Sequence, residues 1–528
     1  MTERLSTPTS VLKMDIERDH ILDTAEPLVN NTLLDSNVLS GDDSLHKGES
    51  SEDVEIPHVE ELSGVEEIPR LDESQSSSHL VALPTELIQH IAYLLPTDRD
   101  LANFTSTCSS ISFQILPAHS SVWRSRFHAL YDVSPNRSSL ELKREYQIRS
   151  IVLRNPISFQ DGETEKQTLW LETMKTLILE ALEIPYKNGQ WFSKNVETIR
   201  RLLCHTRFLD RPVVGSDGVT IPSDLFCINQ LLLTSLALHP KMSIGCLRTD
   251  YDLDIIYSFH GQRAEFIQNG KVNLQILMHI RNFWHRHVLN HDENTFFYLF
   301  INLKEDRLPG LLKSLELKDL PLSPYWLGFT SCLHPLPDGL EEDEEERQTC
   351  ADLEDHVEWV PLWAMSIHID RDPANWPPVF QQVLPFMDGP ENRVYFKGTR
   401  GEKCATAKVE ERYPLRGFVE PFRHPQGEIP GWKRVCWAVY YPKSRELPLV
   451  PHDAVDQEID SWFPQEVWPP TGIEDDFYEL YFFEGVVLPG GRVMLGYWQD
   501  ALWQEGDGPF IFWDTERAFA DEMIPKSS

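Results

Sequence analysis

The chain has 528 residues, 41% of them hydrophobic, with 15 Trp and 26 Phe, enough for about two to four domains around a sizeable core. Its formal net charge is −35, which repels phosphate backbones and anionic lipid and argues against nucleic-acid or membrane partners held through a broad basic face. The 8 cysteines include no CxxC pair, which fits a reducing compartment and argues against a disulfide framework or a zinc-built platform.

Residues 1–79 hold 19 acidic and 5 basic side chains and few aromatics. Such a segment buries too little apolar area to offset its ordering entropy, so a disordered acidic tail is expected. Its first residues contain no apolar run fit for a signal peptide. The oiliest stretch further on, Asn294–Leu303, is half the ~20 residues a membrane span needs. The expectation is a soluble protein, cytoplasmic and/or nuclear.

Order is expected from Leu80. Three short helices fit between Pro84 and Ala118. Pro84 fixes φ where the first begins. Leu87, Ile91 and Leu95 recur every four residues, broadened by Ile88 and Leu94, and Pro96 stops the helix. Thr97 or Asp98 can cap the second, which presents Leu101 and Phe104. Cys108, Ile111 and Ile115 stripe the third. Some ~30 residues in short helices cannot enclose a core of their own, so they must dock on something.

Helical periodicity continues over Ser139–Arg154, Thr164–Leu182, Ser193–Leu209, Ser223–His239 and Lys271–Asn290. After Pro324 the pattern changes to short aromatic and β-branched runs between Pro-Gly and Gly-Gly turns, which predict antiparallel strands. One insertion, Asp338–Arg347, is a like-charge run expected in an exposed loop. An aromatic two residues before glycine recurs at Trp326–Gly328, Phe396–Gly398 and Phe483–Gly485. Repeated glycine kinks favour a barrel over an open sandwich. The expected fold class is α+β, with segments 80–126 (three helices), 127–323 (helical middle), 324–520 (antiparallel barrel-like β domain) and a short tail, 521–528.

The segment Leu83, Pro84, Glu86, Leu87, Ile91, Leu95, then Asp100, Leu101, Cys108 and Trp123–Arg124 resembles an F-box. Ala102 stands where a second leucine is usual, and Ser109–Ser110 where a basic residue is common. The resemblance implies docking on the Skp adaptor and, through it, a cullin. Leu83, Pro84, Leu87, Ile88, Ile91, Leu94, Leu95, Leu101, Phe104, Cys108 and Ile111 would carry that contact. The stretches Ile280–Val288, Tyr325–Pro335, Ile429–Val435 and "FEGVVLPGGRVMLGYWQD" with "GPFIFW" resemble filamentous-fungal F-box proteins. That layout is similar to F-box proteins whose C-terminal barrel captures a protein substrate.

No nucleophilic cysteine in a tuned setting, GxxxxGK[ST] or GxGxxG pattern is visible, so no catalytic residue is expected. His285, His287 and His291, with Asp292, are the best metal candidates. His285 lies on a different helix face from the other two, and no Glu sits between them as in HExxH. Packing and surface roles are expected instead, with no metal or other cofactor. The remaining candidates are Arg393, Arg400, Arg434 and Arg492, with Trp432, Tyr497 and Trp498, at the aromatic runs of the β half. In so acidic a chain, arginines at strand ends fit an anionic degron or a C-terminal carboxylate. The whole reads as a non-catalytic substrate receptor of a Skp–cullin–F-box ubiquitin ligase. A cullin-independent F-box scaffold and a small-ligand-binding barrel are the alternatives.

Overall fold

The computed structural model describes residues 80–132, 137–154, 165–184, 193–205, 208–209, 222–240, 255–256, 258–259, 265–290, 294–310, 322–333, 362–387, 393–402, 409–442, 449–451, 468–473, 477–501 and 506–515. The expected tails, 1–79 and 521–528, and the acidic run Asp338–Arg347 lie outside the described residues. Helices α1 (Thr85–Leu94), α2 (Asp98–Ser106) and α3 (Ser109–Ile115) form as the apolar spacing and the prolines require. Pro84 is the N-cap residue of α1. Thr97 and Asp100 close a capping box on α2, with the Asp100 N–H donating to Thr97 Oγ1 at 3.1 Å. Helix α4 (Ser121–Leu130) follows, and the sequence reading did not separate it. Its apolar stripe of Val122, Trp123 and Phe127 is broken by Arg124 and Arg126, yet all three apolar residues are buried. The Trp123 indole donates to the Ile115 carbonyl at 2.9 Å and ties α4 to α3.

The helical middle comprises α5 (Ser139–Val152), α6 (Glu165–Glu183), α7 (Lys194–His205), α8 (Asp224–Leu232), α9 (Thr234–Ala237), α10 (Leu274–Leu289) and α11 (Asn294–Ile301). Side-chain caps mark several starts: Ser138 on α5, Ser223 on α8 and Asn273 on α10. Helix α10 begins later than its apolar period predicts. Lys271–Val272 instead forms β2, hairpinned to β1 (Ile267–Gln268). The turn between them is Asn269-Gly270, both at positive φ (51° and 71°), the pair that a tight two-residue hairpin favours.

Nine strands, β3 (Tyr325–Thr330), β4 (Trp363–Ile369), β5 (Val394–Glu402), β6 (Val409–Pro421), β7 (Lys433–Pro442), β8 (Leu449–Pro451), β9 (Phe477–Val487), β10 (Val493–Asp500) and β11 (Asp507–Asp514), make one antiparallel sheet. With β8 set aside, successive strands pair, β7 with β9 across it, and β11 returns to β3, so all but β8 close into an eight-stranded up-and-down barrel. The outer edge strand β8 pairs with the start of β6. Strand β6 is the longest at 13 residues and escaped the sequence reading, because Pro414 and the charges around it break the alternation.

The recurring glycines point into the barrel, and the register explains them. Phe396 is paired with Gly417, Phe512 with Gly328 and Phe510 with Gly496. A Cβ on Gly417 would lie 2.5 Å from the Phe396 ring and 2.4 Å from the Cys436 carbonyl oxygen. Each ring thus occupies the place left by a glycine on the neighbouring strand, not by the glycine two residues along its own. The middle of the barrel is filled this way by Trp326, Phe396, Trp437, Phe510 and Phe512.

Outside the barrel the packing is continuous with the helices. One hydrophobic core runs from Ile88 of α1 through Trp170, Leu231 and Trp284 to Leu495 and Trp513 on the outer faces of β10 and β11. The turn between β6 and β7 reaches into the same region. Its Glu428 accepts from Lys175 of α6 at 2.9 Å, and its Gln426 accepts from the Val272 N–H at 3.0 Å. A second flank of the barrel is covered by the segment 373–387, which contains α12 (Pro378–Gln381) and packs Trp376, Phe380 and Leu384 onto Phe418, Tyr440 and Phe482.

Candidate functional site

At one end of the barrel β3, β5, β7 and β10 finish and β4, β6, β9 and β11 begin. Side chains of alternate residues point inward, and at this end they leave a cavity of about 310 Å³. Phe483 forms its floor, stacked on Trp437 with ring centroids 4.8 Å apart. Trp363, Tyr413, Tyr481 and Trp498 stand around it. The wall is held by ring contacts, Trp363 to Tyr413 at 6.3 Å and Tyr481 to Trp498 at 5.7 Å, and by the Trp498 indole donating to the Ser331 carbonyl at 2.8 Å.

Arg400 lines this cavity. It sits near the end of β5, paired with Met365 on β4 and Tyr413 on β6, and is 6% exposed. Its guanidinium carbon lies over the Trp363 ring, 3.8 Å from the centroid, and 5.0 Å from that of Phe483. The rings cover part of the group, and its N–H donors lie in the guanidinium plane. Of those, Nη2 makes one long bond of 3.3 Å to Thr330 Oγ1, and Nε is buried with no acceptor. No carboxylate pairs with Arg400 among the described residues. Burial pulls its guanidinium down to about 9, with Tyr413 and Tyr481 acting in the opposite direction, so it carries its charge at neutral pH. Glu479 also lines the cavity, and its carboxylate accepts from the Tyr481 hydroxyl at 3.0 Å.

Of the seven candidates named in the β half, the structure brings Arg400 and Trp498 together here and places the others elsewhere. Arg393 and Arg434 lie on the outer flank of the barrel, where both pair with the fully buried Glu420, at 3.0 and 2.8 Å. Arg434 also donates to Glu484 (Nε–Oε1 2.7 Å) and to the Pro385 carbonyl, and the Met387 N–H donates to Glu420. That cluster pins the covering segment 373–387 to the sheet. Burial disfavours charge on Arg434, but Glu484 and Glu420 outweigh it and hold the guanidinium above its ordinary value. Arg492 pairs with Asp514 at 3.4 Å. Trp432 is buried in the core shared with the helices. Tyr497 faces the same core, its hydroxyl donating to Asp507 at 2.9 Å, and burial with that carboxylate raises its pKa.

The sequence reading missed Thr330, Trp363, Tyr413, Tyr481 and Phe483 as cavity residues. A signal was present. Tyr481 and Phe483 share the parity of Gly485, and Trp363 that of Met365, so each falls on the inward face once one inward residue per strand is known. That all of them gather at one end depends on barrel closure and register.

The helical end offers a second candidate surface. The stripe of α1 is divided between two environments. Ile88 and Ala92 are fully buried, and Leu101 and Ile111 join them in the core against Val122 and Phe127. Leu83, Leu95, Phe104 and Cys108 are half-buried at its edge, and Ile91 is half-buried too. Leu87 is 50% exposed, Leu94 63%, and Pro84 is exposed with them. Helix α3 adds Phe113 at 78%, the most exposed large apolar side chain among the described residues. Arg126 of α4 holds this arrangement from behind. It donates to the Ala92 and Leu95 carbonyls at the end of α1, to Asp98 at the start of α2, and to the Tyr146 hydroxyl of α5.

His285 and His287 are packing residues in α10. His285 contacts the Ala237 carbonyl at 2.9 Å, and burial, followed by the charge of Arg281, lowers its pKa to about 3. His287 packs against Phe283 with the rings tilted and their centroids 4.3 Å apart. His291 and Asp292 lie outside the described residues, and no group of three metal-binding side chains occurs among those described. No helix among the described residues is long and apolar enough to cross a membrane. No family model, curated protein or solved structure matches the chain.

Proposed function

We propose that the chain is a non-catalytic substrate receptor of a Skp–cullin–F-box ubiquitin ligase. Helices α1–α3 dock on the Skp adaptor, the helical middle braces the barrel, and the barrel captures the client. The observation that carries the first part is the two-faced character of α1. One face is sealed inside the chain while Leu87 and Leu94 stand 50% and 63% exposed, with the F-box-like spacing around them. With half to two-thirds of each leucine left to cover, each gains about 1–2 kcal/mol when fully covered, so a few of them together sustain an interface. Catalysis in this reading is by proximity: the receptor raises the local concentration of client lysines beside a loaded ubiquitin thioester.

The test is titration of the purified full chain with a purified Skp adaptor, alone and bound to cullin. The wild type binds, and Leu87→Asp and Leu94→Asp each lose at least ten-fold in affinity while melting as the wild type does. Failure of the wild type to bind the adaptor overturns the proposal. Binding of the adaptor that excludes cullin converts it to a scaffold role. A second reading, a small-ligand-binding barrel, is favoured by the cavity around Arg400, and it is compatible with the first.

A further inference from the structure

We propose that the cavity at the end of the barrel binds an organic mono-carboxylate, its anionic head on the in-plane donors of Arg400 and its flat apolar body between Trp363, Tyr413, Tyr481 and Trp498. The inference rests on the reading of the barrel as the part that captures a client or ligand, and it names the chemistry recognised there.

The argument starts from a mismatch. A buried guanidinium carries a large desolvation cost unless a carboxylate or a full set of hydrogen bonds offsets it. Arg393 and Arg434 meet that requirement with Glu420, and Arg492 with Asp514. Arg400 is as buried as Arg434 is, at 6% against 3% exposed, yet has two aromatic rings, one long bond to a threonine hydroxyl and an Nε without an acceptor. The free donors belong to a side chain that lines a cavity, and a planar guanidinium pairs best with a planar carboxylate presented edge-on.

The remaining walls set the rest of the ligand. They are aromatic, which suits a flat or apolar body. The volume, about 310 Å³, is at the lower end of the ~300–1,000 Å³ found for small-molecule sites, so one aromatic acid or the last one or two residues of a peptide fill it. Glu479 on the same wall repels a second negative charge, which favours a mono-anion over a phosphate dianion. A free aromatic acid and a peptide's C-terminal carboxylate present the same chemistry, and the experiment separates them.

The full chain is titrated by calorimetry and by its tryptophan fluorescence, since Trp363 and Trp498 line the site. The probes are 3-phenylpropionate and its amide, and a tetrapeptide ending in phenylalanine with a free or an amidated carboxyl group. Expected is binding of at least one acid with at least ten-fold preference over its amide. Tighter binding of the free acid assigns a small-molecule ligand, and tighter binding of the peptide acid assigns a chain terminus. Arg400→Met removes the preference and leaves the melting temperature unchanged or higher, because an unpaired buried charge is replaced by an apolar side chain. Arg400→Lys keeps the charge, loses the planar fork and weakens acid binding at least five-fold. Equal binding of acid and amide, no binding of any probe at millimolar concentration, or a lower melting temperature for Arg400→Met each overturn the proposal. Arg400→Met retains adaptor binding, so failure here is distinguishable from failure of the receptor reading, which the Leu87→Asp and Leu94→Asp titrations report separately.

Discussion

Phe396 of β5 lies directly across from Gly417 of β6, its ring 2.5 Å from where a Cβ on that glycine would stand. The two residues act as one unit: the glycine admits the ring, and the ring fills the barrel where the glycine has no side chain. The other contact at that position is the Cys436 carbonyl oxygen at 2.4 Å, which is backbone and cannot swing aside. Gly417→Ala is therefore expected to destabilise the chain by about 1–3 kcal/mol, the range for overpacking. Denaturant unfolding measures it, and an unchanged midpoint would contradict the packing described.

The Glu420–Arg434 pair gives a larger effect. Glu420 is 0% exposed and Arg434 3%, and Arg434 stands between Glu420 and Glu484. Arg434→Met takes the shared cation from Glu420 and Glu484 beneath the segment 373–387, with Arg393 still paired to Glu420. The expected loss is about 3–5 kcal/mol, the cost of breaking a buried ion pair by removing one partner. Limited proteolysis should show cleavage within 373–387 before the rest of the barrel is attacked. A loss of this size in Arg434→Met, set against none in Arg400→Met, separates a structural arginine from one held for a ligand.

His285 predicts a pH dependence with a definite sign. Folded, it stays neutral down to about 3 because burial and Arg281 oppose its charge; unfolded, it takes up a proton near ~6.5. Between those values the unfolded chain binds more protons, so this group removes stability as pH falls from about 6.5 and contributes no further loss below about 3. Between pH 7 and pH 5 the loss amounts to about 2 kcal/mol. In His285→Gln that increment disappears. Urea midpoints of the two proteins across this range check it, because all other titrating groups are shared and cancel in the difference.

Arg126 links the helical end to its support without touching the exposed leucines. Arg126→Met removes donors from the Ala92 and Leu95 carbonyls and from Asp98 and Tyr146. Hydrogen bonds to a charged group are worth about 1.5–3 kcal/mol each, so α1 and α2 loosen on α4 and α5. The expected outcome is a lower melting temperature together with weaker adaptor binding, although Leu87 and Leu94 are intact. Adaptor affinity equal to the wild type in a destabilised variant would show that the orientation of α1 is not set by this arginine.

The local elements and the change of fold class along the chain were legible in the residues themselves. Helices α1–α3 and α5–α8 follow from apolar periods bounded by Pro84, Pro96, Thr97, Ser193 and Ser223, because helix formation and capping depend on neighbours a few positions away. The barrel showed in its recurring aromatic-x-glycine spacing. Elements whose local pattern is interrupted escaped notice: α4 with buried Arg126, and β6 with Pro414.

Only the tertiary structure decided which side of α1 is covered and which of the four arginines has no carboxylate partner among the described residues. Leu87 and Ile88 are adjacent and chemically alike, and the packing of α1 against α3 and α4 determines that one is buried and the other bare. Arg393, Arg400, Arg434 and Arg492 look equivalent in the chain. Their partners, Glu420, Glu484 and Asp514, stand on nearby strands, Glu420 directly across from Arg434, and strand register brings them to three of the four. Charge pairing across a closed sheet depends on register and curvature, which no short stretch of sequence encodes, and that is why Arg400 could be told apart from the other three only after the strands had closed.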